Sequence, residues 1–422
     1  MSLVDLDKEK VWHPFTQMKG AHITPIVKGE GAFLIDEDGN KYIDAVSSWW
    51  VKIHGHSNPY IGTKIAEQFA ELDHVIFAGF THPKAVEVAE RLSKILPDEM
   101  NKIFFSDNGS TANEIALKMA LQYWHNQGID KRRVIAFEGA YHGDTFGGMS
   151  VSARTSFSDP FSHHLFETEY IPTPTNENIS QVLELMKSLV KSNDIAAFIY
   201  EPLVQGVRGM VMYDGELLSE ILKIAKEHDV LCIADEVMTG FGRTGSMFAS
   251  DQVDVKPDIV TLSKALTGGV MALGVTMCND FIYDAFYSDD KSKAFLHGHS
   301  FTGNALACAA VCANLDLLES EKVKKELADL INLQTEFRIS IQEHDSVSEA
   351  RQQGAILAIE IITSEDSGYH NDLGPKAYRY FLDRGVVMRP LGNVLIIMPP
   401  YCINKKDLIY VYTQIRSFLN EL

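Results

Sequence analysis

The chain has 422 residues, a length suited to two to four domains, or to one large domain with an appendage. Its 45% hydrophobic and 23% charged residues match ordinary globular averages, which excludes extensive disorder. Acidic side chains outnumber basic ones 57 to 38, and the net charge of −19 argues against nucleic-acid backbones and anionic membrane surfaces as main partners.

The N-terminal segment MSLVDLDKEKVWHPF lacks the apolar core of a secretory signal, and no stretch approaches 18 uninterrupted apolar residues. The sequence therefore reads as soluble and cytoplasmic. In AFLIDEDGNKYIDAV two short apolar runs flank Asp38-Gly39, a hairpin pattern. From about residue 60 to 305, short apolar runs alternate with helical stretches. NKIFFSDNGS, RRVIAFEGAYHG, IAAFIYEPLVQG, VLCIADEVMTG and PDIVTLSKAL each place a buried strand before polar or Gly-rich residues. That layout predicts a mostly parallel sheet with crossover helices, whose chemistry gathers at the carboxyl ends of the strands. Beyond residue 310 come long helices, then AILAIEII and VLIIMPPY as strands, then a final helix. The fold class is α/β. The expected division is a large domain over 60–305 and a smaller, discontinuous α+β domain from 1–59 and 306–422.

Five cysteines, at 232, 278, 308, 312 and 402, form no C-x-x-C pair. Cys308 and Cys312 share a helical face and read as packing thiols in a reducing compartment. No histidine pair has metal-ligand spacing in a fitting context, so His13, His54, His56, His142, His297 and His299 read as structural or solvated, and no metal is expected.

Four clusters at strand ends carry chemistry. Ser106 to Thr111 follows a strand and opens a helix, with Thr111 and Glu114 at capping-box spacing; free amides there, beside Gly109, suit an anion cup or a plain helix start. Asp235-Glu236 could bind metal, act as acid and base, or pair with a protonated ring nitrogen. Ser263-Lys264 puts an amine at the end of a buried strand, where desolvation makes it a nucleophile toward carbonyls. Tyr141-His142-Gly143-Asp144 offers a flat ring or simple edge packing. Together the four meet the needs of pyridoxal 5′-phosphate: a phosphate cup, a carbonyl-reactive lysine, an acid for the pyridine nitrogen and a plane for the ring. A nucleotide-dependent dehydrogenase is disfavoured because no G-x-G-x-x-G follows the first predicted strand of the sheet.

On these residues the sequence resembles the fold-type I pyridoxal-phosphate enzymes of the class III (ω-) aminotransferase group, over nearly its whole length. The group motif D-E-V-x-T-G-F-G-R-T-G stands at Asp235 to Gly245, followed by T-L-S-K-A-L with Lys264. Finer matches are Trp12-His13-Pro14-Phe15-Thr16-Gln17, Ser48-Trp49-Trp50, Tyr141 to Thr145, His297 to Asn304, and Arg389-Pro390 with Met398 to Tyr401. Within the group they point to the branch that aminates 8-amino-7-oxononanoate to 7,8-diaminononanoate in biotin synthesis.

The resemblance implies the following roles. Lys264 links to the cofactor and later shuttles a proton. Asp235 pairs with the pyridine nitrogen, Tyr141 stacks on one ring face and Val237 packs on the other. Gly109 and Ser110 bind the phosphate. Ser300 reaches the same phosphate from the neighbouring subunit of a homodimer with shared active sites. Arg389 holds the keto substrate's carboxylate, Trp49 and Trp50 line the substrate channel, and Asp144 and Arg243 lie near the site. Two positions depart from the group pattern. Phe15 stands where many members have Tyr, and His299-Ser300 where many have Pro-Thr. Phe15 lacks a hydroxyl that would meet the amino donor, so lysine is an alternative to S-adenosylmethionine as donor, and another class III ω-aminotransferase activity is the rival reading. A non-catalytic protein on the same scaffold is disfavoured by Lys264, Asp235, Tyr141 and Arg389 occurring together.

Overall fold

A seven-stranded sheet forms the centre of the molecule, seen in a computed structural model that describes residues 2–97, 100–364 and 371–422. In chain order the strands are β1 (Ile26–Glu30), β2 (Phe33–Asp36), β3 (Lys41–Asp44), β4 (Lys102–Ser106), β5 (Arg133–Phe137), β6 (Thr168–Ile171), β7 (Ile195–Tyr200), β8 (Val204–Gln205), β9 (Val211–Met212), β10 (Leu231–Asp235), β11 (Ile259–Leu262), β12 (Gly274–Cys278), β13 (Val347–Gln353), β14 (Ile356–Ile361), β15 (Val386–Val387) and β16 (Val394–Ile397). The central sheet has the order β4-β12-β11-β10-β7-β5-β6, and β12 alone runs against the other strands.

Its strands are apolar on both faces because both faces are covered. Ile135 and Phe137 of β5 pack into one core with Phe198, Ala234 and Leu262, while Val134 and Ala136 join a second core with Ile199, Ile233 and Ile259. The helix Gly109–Asn126 fills the second face with Ile115, Ala116, Met119 and Trp124. The helices Ile179–Val190 and Gly215–Glu227 cover the first with Val182, Met186, Leu218, Ile221 and Leu222. All five strands read from the sequence are present. β12, GVTMC, escaped the sequence reading: it follows a glycine-rich stretch and adds an antiparallel strand where alternating strand and helix suggested only parallel ones.

The N-terminal strands form an antiparallel meander, and β3 pairs in parallel with the distant β15 (Ile43 opposite Val386, Asp44 opposite Val387). A second antiparallel sheet, β13-β14-β16, packs under the helices Glu321–Ile341 and Lys405–Asn420, where Phe337 and Tyr412 stack at 4.0 Å. β8 and β9 form a short ribbon after β7. Cys308 and Cys312 are buried on the helix Ala305–Glu319. Among the described residues no helix is long and apolar enough to cross a membrane.

Candidate active site

The parallel strands deliver their chemical residues to one end of the sheet. β4 leads into Gly109-Ser110, β5 into Tyr141, β7 into Glu201, β10 ends on Asp235, and β11 leads into Lys264.

The cup is built differently from the capping box expected at Thr111 and Glu114. The helix starts at Gly109, and Asn108 is its cap: the Asn108 side chain accepts from the Thr111 amide at 2.9 Å, and Thr111 Oγ1 accepts from the Asn108 amide at 3.2 Å. The chain turns helical three residues earlier because Asn108 is the better cap. Glu114 instead accepts from Thr145 Oγ1 at 2.7 Å, bracing the loop after Tyr141. This cap leaves the Gly109 and Ser110 amides, at the positive end of the helix, for an anion. A side chain at Gly109 would meet Val237 Cγ1 at 2.6 Å, so only glycine lets these two segments approach. Ser110 Oγ accepts from the Asp144 amide at 3.2 Å.

Asp235 is buried and held on all sides. Oδ2 accepts from Asn113 Nδ2 at 2.7 Å and lies 2.8 Å from His142 Nδ1; Oδ1 accepts from the Val237 amide at 3.1 Å. Thr261 Oγ1 donates to Asn113 Oδ1 at 2.7 Å, fixing the orientation of that amide. His142 is therefore a direct support of Asp235, not merely a structural residue, and its Nε2 is buried without a partner among the described residues. Glu236, the second acid of the pair, is used up elsewhere: it accepts from the Ala249 and Ser250 amides at 3.1 and 2.7 Å.

Lys264 is half-buried at a backbone φ of +42°, a strained position for a side chain of this size. Desolvation lowers its pKa from the ordinary lysine value and outweighs the attraction of Asp235 and Glu201, with Arg243 adding to the lowering. Its Nζ lies 5.1 Å from the centre of the Trp50 ring. The Tyr141 hydroxyl donates to Asp144 at 2.9 Å, and the Tyr141 amide donates to Glu201 at 3.0 Å. Glu201 also accepts from the Gly206 amide at 2.8 Å, and burial pushes its carboxyl up to about 7. It went unremarked in the sequence because one acid at the end of one more apolar strand carries no spacing signal.

A second group lies beside the first. Parallel neighbours β3 and β15 leave their sheet at the same end, toward Trp49 and Arg389 respectively. The Arg389 guanidinium accordingly sits 4.4 Å from the Trp49 ring, and Phe15 packs edge-on against Trp49 at 5.3 Å. Arg243 is fully buried and donates to the backbone carbonyls of Trp50 and Pro399 at 3.2 and 3.3 Å, tying the Trp50 turn to the M-P-P-Y segment.

The whole stretch from residue 16 to 419 matches the family model described as aminotransferase class III. The chain belongs to the class III aminotransferases. Relatives of this class III aminotransferase agree along its full length. The adenosylmethionine-8-amino-7-oxononanoate aminotransferase of Synechococcus elongatus is 44% identical, over 98% of this chain and 99% of its own. That of Staphylococcus aureus is 37% identical over 98% and 95%. The crystal structure of the Methanocaldococcus jannaschii protein of the same name superposes with a TM-score of 0.94 at 36% identity, covering 99% of this chain and 98% of that one. An ω-transaminase of Pseudomonas jessenii in complex with PMP gives a TM-score of 0.93 at 26% identity, covering 100% and 98%. The central sheet and its covering helices are thus those of fold-type I aminotransferases.

Among the described residues, Ser300 of the class III aminotransferase makes no hydrogen bond to this cluster. It is exposed, and its carbonyl accepts from His74 Nε2 at 2.8 Å. A groove of about 440 Å³ against β4, lined by Phe104, Ile282, Tyr283 and Phe295, shares no lining residue with the cluster.

Proposed function

We propose that this chain aminates 8-amino-7-oxononanoate to 7,8-diaminononanoate, with pyridoxal 5′-phosphate as cofactor and S-adenosylmethionine as amino donor. The observation that carries the substrate reading is that relatives matched end to end bear the name of that reaction. The residues fit the cofactor on structural grounds: a helix start with two unused amides, a glycine where a side chain would collide with Val237, an anchored buried carboxylate and a desolvated lysine. Gly109 and Ser110 would hold the phosphate, Tyr141 and Val237 the two ring faces, Asp235 the ring nitrogen and Lys264 the aldehyde carbon.

When bound, pyridoxal phosphate supplies an electron-withdrawing ring that stabilises negative charge at the substrate carbon. The protein's part is positional and acid–base. Asp235, kept in place by Asn113 and His142, holds a proton on the ring nitrogen. Lys264 would take the proton from the substrate Cα; its lowered pKa keeps a larger share in the free-amine form. Arg389, with two parallel donors, receives the substrate carboxylate, while Trp49, Trp50 and Phe15 exclude water from the chain beyond it. Catalysis should be ping-pong, because donor and acceptor use one site in turn.

We further read the chain as a large unit over 60–305 and a discontinuous small unit of 1–59 with 306–422; the β3–β15 pairing supports joining the two ends. A homodimer is the proposed assembly, with Ser300 serving the neighbouring site; its exposure supports that assignment.

The decisive assay offers 8-amino-7-oxononanoate with S-adenosylmethionine and, separately, with lysine. Diaminononanoate formed with S-adenosylmethionine supports the full reading. Formation with lysine alone reassigns the donor. Failure with both, or faster turnover of short ω-amino acids, defeats the substrate assignment. In the Lys264→Ala variant the visible absorbance of the lysine-linked cofactor should vanish along with turnover.

A further inference from the structure

The turn that carries Trp49 and Trp50 is left-handed through four successive non-glycine residues: Ser47, Ser48, Trp49 and Trp50 have φ of +51°, +45°, +70° and +72°. Each such residue is strained and persists only where surrounding contacts over-determine it. Ser47 Oγ donates to the Met398 carbonyl at 2.7 Å and Arg243 to the Trp50 carbonyl at 3.2 Å, while the middle of the turn is held by Asp44, the last residue of β3, which is fully buried. Asp44 Oδ1 accepts from the Ser48 amide at 2.9 Å, and Oδ2 accepts from the Ser48 hydroxyl at 2.7 Å. Its Oδ2 also lies 2.8 Å from Nε2 of the buried His56. His56 in turn is pinned by the first hairpin. Its backbone exchanges hydrogen bonds with Gly31, at 2.7 and 3.2 Å, and a side chain at Gly29 would strike its Cβ at 2.7 Å.

We infer that the Asp44–His56 pair is a positioning device for the substrate channel: it holds the strained turn closed on Ser48, and thereby places Trp49 against Arg389 and Trp50 against Lys264. The proposal rests on the reading of Trp49 and Arg389 as substrate-binding residues and adds to it two residues that touch neither substrate nor cofactor. The geometry requires both members. Asp44 receives the Ser48 amide and hydroxyl and, at 3.4 Å, the Val46 amide on Oδ1, but a carboxylate fully out of water needs a donor from outside the turn to stay fixed, and His56 supplies it on Oδ2. The pair also links the N-terminal hairpin, which carries no chemistry of its own, to the orientation of both tryptophans.

The test uses the holoenzyme with four changes: His56→Gln, which keeps a donor; His56→Leu, which removes it; Ser48→Ala, which removes the hydroxyl bond at a half-buried position; and Ser48→Gly on the His56→Leu background. Two readouts are taken, steady-state kinetics toward the keto substrate and the near-ultraviolet circular dichroism of the tryptophans. His56→Leu should raise KM for the keto substrate about tenfold with kcat within about twofold, and should alter the tryptophan band. His56→Gln should stay close to wild type on both, and Ser48→Ala should fall between. Ser48→Gly should restore part of KM, because glycine adopts positive φ without strain at one of the four positions and leaves less for the clamp to hold. A shift in one readout without the other, equal effects of His56→Gln and His56→Leu, or no rescue by Ser48→Gly overturns the proposal. If His56→Leu does not fold, Ser48→Ala and His56→Gln still decide: wild-type KM and band in Ser48→Ala overturns it. If the wild-type enzyme does not accept the oxononanoate at all, the substrate reading fails, while the tryptophan band still reports on the clamp.

Discussion

Glu201 shows how a single buried group can matter without touching a substrate. Its two oxygens take amides from Tyr141 and Gly206, so the ring platform and the ribbon after β7 share one carboxylate. Burial, with repulsion from Asp235 and against the attraction of His142, raises its carboxyl from 4.5 to about 7. Between those values the folded state holds more protons than the unfolded one, so this group's contribution to stability falls as pH rises through that window. The shift corresponds to about 3 kcal/mol. In urea titrations, the stability of Glu201→Gln relative to wild type should therefore improve by about that amount between roughly pH 5 and pH 8. Equal pH slopes for the two proteins would remove the buried charge from consideration. Arg389 belongs to the same scale. Losing a charge-assisted contact of about 1.5–3 kcal/mol should raise KM for the carboxylate substrate roughly ten- to hundredfold in Arg389→Ala, and an unchanged KM would assign its guanidinium to Trp49 alone.

At the scale of elements, the helix Gly109–Asn126 carries two separable functions at its first turn. Asn108 caps it, and Gly109 makes room for Val237. Asn108→Ala should cost about 1 kcal/mol of stability, read by urea unfolding, because one amide loses its acceptor. Gly109→Ala should act on the site instead. A Cβ set 2.6 Å from Val237 Cγ1 forces aside the side chain proposed to pack on the ring, so cofactor affinity, followed by absorbance titration, should drop more than global stability does. Reversal of that order would mean the close approach serves packing and not the ligand. The cap also shows why the sequence misplaced the helix start by three residues: Asn108 and Thr111 are both good cap residues, and T-x-x-E spacing to Glu114 was an equally regular pattern. The choice went to Asn108 because Glu114 is drawn to Thr145, thirty-one positions away.

At the scale of the whole molecule, the proposed dimer makes a prediction that one chain alone cannot satisfy. Leu296 is 83% exposed and Phe301 64% exposed on either side of Ser300, apolar surface that a second copy would cover. If Ser300 serves the neighbouring site, mixing Ser300→Ala chains with Lys264→Ala chains should restore cofactor affinity and activity at one site per hybrid pair, since that site then has an intact lysine and an intact serine from different chains. No restoration on mixing, with exchange of subunits verified by sedimentation, would place Ser300 in service of its own chain.

The sequence by itself determined the class of fold and marked the residues proposed for the chemistry. Buried strands covered on both faces must be apolar throughout, so β4, β5, β7, β10 and β11 were legible as continuous runs, and the polar residues ending them marked where a ligand meets the sheet. Lys264, Asp235, Tyr141 and the Gly109–Ser110 start stood out because their types suit one cofactor's needs, and the strands bring them to one end of the sheet. What only the tertiary structure decided was which groups support them. Asn113, His142, Glu201 and the Asp44–His56 pair act across separations that no local spacing encodes, through hydrogen bonds made when distant strands come side by side. Trp49 meets Arg389 because β3 and β15, some 340 residues apart in the chain, are parallel neighbours. A ligand's demands select residue types and leave a mark in the sequence; the demands of holding those residues still are met by whatever the fold brings near, and only the fold reveals them.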